Sequence, residues 1–248
     1  MKFFRLTFLL LITVALASCS KSFSVSSSNT TYYNINSELP KDSATLAFIR
    51  PYADSLNKNM SAVIGYLQTD LPKGKPESLM GNFFCNALLQ QSQKYFSEKA
   101  DLCIMNYGGL RIPLLSKGNI TTGKIFELMP FDNFLILMKI NGSKLQEVLH
   151  HVAADGGWPI AGASFKIKNN HAEAVLINGA TLDESKEYYL LISDYMAEGG
   201  DKLEMLKGIA FNNSGVFVRD ALIEYIQQQT LQGNTINAEL DGRIQYAE

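Results

Sequence analysis

The sequence predicts an α+β fold, a single domain in which a mixed β-sheet is packed with helices. Apolar runs of strand length, such as Phe134–Ile140 and Tyr188–Ser193, are rich in aromatic and β-branched residues. Other segments place apolar residues three and four apart, as in Leu145, Val148, Leu149 and Val152, which is the spacing of one helix face. Runs of strands are broken by irregularly placed helices, and no internal repeat is visible. With 248 residues and 46% hydrophobic content, the chain can bury one good core. A net charge of −2 gives no basic field, which argues against a nucleic-acid polymer as partner but leaves a single nucleotide open.

The N-terminus reads as a targeting segment. Lys2 and Arg5 precede the apolar stretch Leu6–Ala15, which is short for a membrane span. The stretch closes with Leu16, Ala17, Ser18 and Cys19, which resembles a bacterial lipoprotein signal. That resemblance implies cleavage after residue 18 and lipidation of Cys19; an ordinary secretory signal with an incidental cysteine is the alternative. Several acyl chains on one residue would anchor the chain stably to a membrane. The expectation is an exported, membrane-anchored lipoprotein, periplasmic or at the cell surface. It would have a signal peptide over 1–18, a lipidated Cys19 and Ser/Thr/Asn-rich tether over 19–41, and a folded domain over 42–248. Cys85 and Cys103 are the cysteines left, an even number in an oxidising compartment, and they either pair or sit as two buried thiols.

The elements follow in order. Tyr32–Ile35 is a short strand candidate within the tether. Behind Asp42 as a cap, Leu46, Ile49, Tyr52 and Leu56 recur at helical spacing, with Pro51 marking a kink or break. Ser61–Leu67 reads as a strand. Ser78 caps a helix whose Phe83, Ala87, Leu88 and Gln91 share a face, and Leu102–Met105 is the next strand. Thr122–Met129 predicts a short helix stopped by Pro130, followed by the buried strand Phe134–Ile140. Ser143 to Gln146 matches a capping box ahead of the Leu145–Val152 stripe. Phe165–Lys168, Ala174–Ile177 and Tyr188–Ser193 read as strands, with turns at Asn169-Asn170 and Asn178-Gly179. A long helix containing Phe217, Ala221, Leu222 and Tyr225, and a strand over Arg243–Tyr246, complete the pattern.

Four segments carry chemistry. Asn106-Tyr107-Gly108-Gly109-Leu110-Arg111 ends an apolar strand in a polar ledge, with glycines that turn the backbone and an Arg fork that matches carboxylate or phosphate. Pro130-Phe131-Asp132-Asn133 sets an aromatic on a rigid turn. Asp155-Gly156-Gly157-Trp158-Pro159 is a loop whose backbone can approach a ligand closely. Asp194-Tyr195 through Gly199-Gly200-Asp201 follows a strong strand with an aromatic and a carboxylate. Each alone is an ordinary turn or hydrophobic plug. Together, two aromatics, an Asn, an Arg and an Asp are what a nucleoside requires: faces for its base and an acceptor for its ribose hydroxyls.

Ser78 to Asn82, then Asn106, Gly108, Gly109 and Arg111, then Pro130, Phe131 and Asn133, then Tyr195, Gly199, Gly200 and Asp201 occur in order and at family intervals. The set resembles the C-terminal domain of the 5'-nucleotidase / UDP-sugar hydrolase / 2',3'-cyclic phosphodiesterase family, over roughly Asp42 to Tyr246. The resemblance implies that Phe131 and Tyr195 sandwich a base and that Asp201 binds ribose hydroxyls. It places Asn106 and Arg111 at the ribose-phosphate region and Asn133 at the base edge, with a Gly156 or Gly157 amide nearby. Two positions depart from the family pattern. Tyr195 stands where Phe is usual. Gly74, between Lys73 and Lys75, stands where many members have a further phosphate-binding Arg. Cys85 and Cys103 coincide with positions bridged in some extracellular members, so the resemblance also implies a disulfide.

In that family a separate N-terminal metallophosphatase domain performs two-metal hydrolysis. Its Asp-x-His and Gly-Asn-His-Glu/Asp motifs do not occur in this chain, nor does a Gly-x-Ser-x-Gly elbow or a Walker loop. Of the three histidines, His150 and His151 are adjacent on a helix and point about 100° apart, poorly placed to chelate one ion. The expectation is no catalytic and no metal-binding residue here. The chain would act as a recognition subunit for a separate metallophosphatase chain holding divalent metals such as Mn or Zn, with little phosphatase activity of its own. A surface nucleoside- or nucleotide-binding lipoprotein without catalysis is the second reading, and a vestigial pocket on an assembly domain the third.

Overall fold

A computed structural model describes residues 23–33 and 39–247. Cys19, the signal segment, and Asn34 and Ile35 lie outside the described residues; Tyr32 and Tyr33 form no strand. The chain divides into two compact units, Met1–Phe48 and Ile49–Glu248. Helix α1, Ser43–Met60, begins where Asp42 Oδ1 accepts from the Thr45 amide at 2.6 Å, and it runs through Pro51 without breaking. No helix among the described residues is long and apolar enough to cross a membrane.

Beyond α1 come β1 (Val63–Leu67), β2 (Leu71–Pro72), α2 (Leu79–Gln91), β3 (Leu102–Ile104), β4 (Leu114–Leu115), β5 (Gly118–Thr121) and α3 (Thr122–Leu128). They are followed by β6 (Phe134–Asn141), α4 (Gly142–Ala154), β7 (Ile160–Ala161), β8 (Ala163–Lys168), β9 (His171–Ile177) and β10 (Ala180–Thr181). The last are β11 (Glu187–Ser193), α5 (Asp194–Ala197), β12 (Phe211–Phe217), α6 (Val218–Leu231) and β13 (Ile244–Tyr246). The central sheet has the order β12-β6-β11-β3-β7, with β11 parallel to β3 and its other pairs antiparallel. A second sheet, β10-β9-β8-β13, is also mixed. The α+β expectation holds.

Period-two alternation places the core on both faces of the central sheet. Leu135, Leu137, Cys103 and Leu191 join one apolar cluster with α2 and α6. Ile136, Met138, Leu102, Ile104, Leu190 and Ile192 join the other, with α4 and the second sheet. The predicted faces of α2 and α4 are buried, and Ser78 caps α2 by accepting from the Gly81 amide.

Two expectations are corrected. The cap of α4 is Asn141, whose side chain accepts from the Lys144 amide, so the Ser143–Gln146 box does not form. Gln146 instead donates to Ala172 O. An Asn two residues upstream takes the Lys144 amide and starts the helix earlier, at Gly142, which leaves Ser143 inside the first turn. The disulfide implied for Cys85 and Cys103 is not formed: both are free and buried. The thiols are nonetheless close enough to interact. Burial, reinforced by Cys85, pushes the Cys103 thiol well above its ordinary value.

Candidate functional site

The polar ledge after β3 is a single 3-10 turn, Tyr107–Gly109, with Asn106 before it in extended conformation. The Gly109 amide closes it onto Asn106 O at 3.0 Å, and the Arg111 amide donates to Leu128 O at 2.9 Å, tying the ledge to the end of α3. Neither glycine is left-handed. Gly109 supplies room instead: a Cβ there would lie 2.8 Å from Asn106 Oδ1, the side chain that faces the site.

The second aromatic segment follows β11. Ser193 caps the one-turn helix α5, and Asp194 Oδ1 accepts both the Tyr195 amide at 2.7 Å and Asn133 Nδ2 at 3.1 Å. The chain then reverses through Gly199 (φ 90°) and Asp201 (φ 50°). A Cβ on Gly200 would stand 2.4 Å from the Tyr195 ring. That glycine lets the chain fold over the ring and brings Asp201 back to the tyrosine hydroxyl. The Tyr195 hydroxyl donates to Asp201 Oδ1 at 3.1 Å and accepts the Asp201 amide at 3.2 Å. Asn106 Nδ2 donates to Asp201 Oδ2 at 2.6 Å.

These segments meet in one cavity of about 320 Å³ lined by Asn106, Gly108, Gly109, Arg111, Phe131, Asn133, Tyr195 and Asp201. That volume is at the lower end of roughly 300–1,000 Å³ for small-molecule sites. Phe131 and Tyr195 are 38% and 42% exposed, which leaves ring surface for a ligand although both sit in a folded wall. Arg111 holds only a 3.4 Å contact to Gly108 O, with its guanidinium carbon 5.7 Å from the Phe131 ring centre. The cavity wall thus carries both signs of charge, a carboxylate cross-braced by Asn106 and Tyr195 and a guanidinium with one long hydrogen bond.

Six of the seven residues singled out for ligand contact are thus brought together, and Gly156 is not. Its amide donates to Ala153 O and that of Gly157 to Val152 O, closing the C-terminus of α4. Orphan helix carbonyls claim the donors that a ligand would need. The neighbouring Asp155 and Trp158 instead line an adjoining cavity of about 430 Å³, which shares Gly108 and Asp201 with the first.

The two lysines flanking Gly74 have different commitments. Lys75 pairs with Asp155 at 2.6 Å. Lys73 donates to Leu110 O at 2.7 Å and lies 3.8 Å over the Tyr107 ring. Burial first, then repulsion from Arg111 and Lys75, lowers the Lys73 pKa. Both lysines thus lie over the Tyr107 ring of the ledge, Lys75 at 4.7 Å, and Lys73 is held there within repulsive reach of Arg111. Three residues have a supporting role that the sequence reading did not give them. Asp194 links the two aromatic segments, His151 Nε2 lies 2.9 Å from Asp201 O, and Arg219 holds the Phe131 turn from behind. The histidine neighbours do diverge, His150 packing against His171 and His151 against Trp158. Among the described residues no three His, Cys, Asp or Glu side chains are grouped to hold a metal ion.

The chain is similar to the 5'-nucleotidase of Vibrio vulnificus, 27% identical over 207 residues, which cover 79% of this chain and 36% of that protein. With the 5'-nucleotidase of Vibrio cholerae it is 26% identical, over 77% of this chain and 35% of that one. It therefore spans about a third of the length of these curated relatives. The crystal structure of a 5'-nucleotidase precursor from Thermus thermophilus shares the fold, with a TM-score of 0.72 at 22% identity over 84% of this chain and 44% of that one. The family model for "5'-nucleotidase, C-terminal domain" matches residues 59–208, more than half of the sequence, and the chain belongs to that family.

Proposed function

We propose that this chain binds the base and ribose of a nucleotide and presents its phosphate to a metallophosphatase carried by a separate polypeptide. The observation that carries the reading is the convergence of Asn106, Arg111, Phe131, Tyr195 and Asp201, from distant segments, on one cavity of nucleoside size. Aromatic faces suit a base, the braced carboxylate suits vicinal hydroxyls, and Arg111 with Lys73 suits the phosphate. The described residues offer no metal cluster, so divalent ions such as Mn or Zn belong to the partner in this reading. Export and lipid anchoring at Cys19 would bring the chain to the compartment where extracellular nucleotides are met.

The test is phosphate release from AMP in the presence of manganese, by this chain alone, by a candidate metallophosphatase alone, and by the mixture. Activity confined to the mixture, and lowered at least tenfold by Arg111→Ala, is the expected result. Equal hydrolysis with Arg111→Ala, or hydrolysis by this chain alone, would sink the proposal.

One observation favours ligand capture without hydrolysis as a second reading. Lys75 is committed to Asp155, so a single lysine replaces a bidentate arginine at the phosphate end. Tighter binding of adenosine than of AMP would support that reading.

A further inference from the structure

Phe131 lies in a stretch, Pro130–Asn133, with no regular secondary structure between α3 and β6. Its ring has no polar atom to anchor it, and it is 38% exposed at the cavity. What fixes it is the opposite side of the turn. Arg219, in the first turn of α6, donates from Nη1 to Phe131 O at 3.3 Å and from Nη2 to Asp132 Oδ1 at 2.8 Å. One residue earlier, the Val218 amide donates to Asn133 O at 2.8 Å. Two consecutive residues of one helix thus grip three consecutive residues of the turn.

The placement of Arg219 is unfavourable for α6 itself. A cation in the first turn opposes the helix dipole. Arg219 is 6% exposed, while its partner Asp132 is an exposed side chain. Its Nε is buried without a hydrogen bond, with Asp220 Oδ1 at 3.5 Å. Burying a guanidinium costs desolvation that carboxylates left largely in water offset only in part, so stability alone does not account for an arginine here. The guanidinium is nevertheless held firmly in orientation. Its central carbon lies 4.0 Å from the Phe126 ring centre and 5.8 Å from that of Phe217, whose own ring packs on Phe134. These aromatic faces stabilise the cation and fix the plane in which its two donors point.

We propose that Arg219 is the positioning residue for Phe131, a rigid fork that sets the angle at which this ring meets a ligand. The proposal rests on the reading of the cavity as a nucleoside site. Arg219 touches no ligand; it acts through the turn.

The experiment combines two readouts on the full chain. Adenosine affinity is measured by calorimetry for wild type, Arg219→Met, Phe131→Ala and the double variant. Arg219→Met keeps the apolar stem and removes both donors. It should weaken adenosine about tenfold in the wild-type background and less than twofold when Phe131 is already absent, the signature of action through that ring. Arg219→Lys, with one donor group, should recover part of the loss and replaces the Met variant if that one does not fold. Equal losses in both backgrounds would make Arg219 a purely structural residue and overturn the proposal.

The second readout needs no ligand. A fluorinated phenylalanine placed at position 131 should give one sharp fluorine resonance in wild type and a broadened or split one in Arg219→Met. An unchanged sharp signal overturns the proposal. If wild type binds no adenosine, the nucleoside reading fails by itself, and the fluorine spectrum still decides the role of Arg219.

Discussion

The two aromatic walls of the cavity are held by opposite means. Tyr195 is fixed through its side chain: its hydroxyl is bonded to the carboxylate and the amide of Asp201, and the chain folds over its ring at Gly200. Phe131 has no such handle and is fixed through the backbone of its turn, where Arg219 donates to Phe131 O and the Val218 amide to Asn133 O. The difference is physical. A phenol can join the polar network that serves the ligand, so ring and carboxylate move as one unit. A phenyl ring can only be aimed, and its support must lie outside the cavity. Asp194 is the joint between the walls, accepting from Asn133 on one and from the Tyr195 amide on the other.

If that contrast is right, the most damaging single change lies where the braced wall is cross-linked. Asp201→Ala removes the acceptor for Asn106 and for Tyr195 and, in the proposed reading, for ligand hydroxyls. Adenosine binding should fall by about 3 kcal/mol, roughly a hundredfold, because two or more hydrogen bonds to a charged group are lost together. Calorimetry at fixed ionic strength measures it. A dissociation constant within twofold of wild type would show that this wall does not bind ribose.

The phosphate end sharpens the contrast between nucleoside and nucleotide. Lys73→Met should weaken AMP by about tenfold, the scale of one charge-assisted hydrogen bond, and leave adenosine within twofold. The pH dependence has a definite sign. Burial and the nearby cations lower the Lys73 pKa in the free protein. A bound phosphate raises it again, so AMP binding takes up a proton between the two values. Affinity for AMP should therefore decline as pH rises through the lowered Lys73 pKa, below its ordinary value of 10.5. The decline should vanish in Lys73→Met. A decline that persists in that variant assigns it to another group.

Much of this was legible in the sequence because it is local. Phe134–Ile140 reads as a strand because an apolar run that is buried on both faces looks the same in sequence as in structure. The cavity residues were visible as an Asn, an Arg and an Asp at Gly-Gly turns and as aromatics at a Pro turn and a strand end. What escaped depends on contacts between distant parts of the chain. Strand β12, Phe211–Phe217, contains Asn212-Asn213-Ser214-Gly215 and has no strand composition. It pairs with β6 through a register shift, where Ser214 Oγ donates to Leu135 O. Arg219 carries no local signal, since nothing in its neighbourhood announces a turn 88 positions earlier. Gly156 looked available because sequence cannot tell which amides a helix end will claim.

The smallest expected effect is the most discriminating between the walls. Tyr195→Phe keeps the ring and removes the hydroxyl that joins it to Asp201. The loss for adenosine should be about 1 kcal/mol, roughly fivefold, the net worth of one ordinary hydrogen bond. Its origin can be read by changing the ligand. If the hydroxyl acts by holding Asp201 in place for the ribose, 2',3'-dideoxyadenosine, which offers no vicinal hydroxyls, should bind wild type and Tyr195→Phe alike. If the hydroxyl acts by holding the ring, both ligands should lose the same fivefold, because the stacked base is common to them. The second outcome would make Tyr195 resemble Phe131, a ring that is merely aimed, and the distinction between the walls would reduce to where each support is placed.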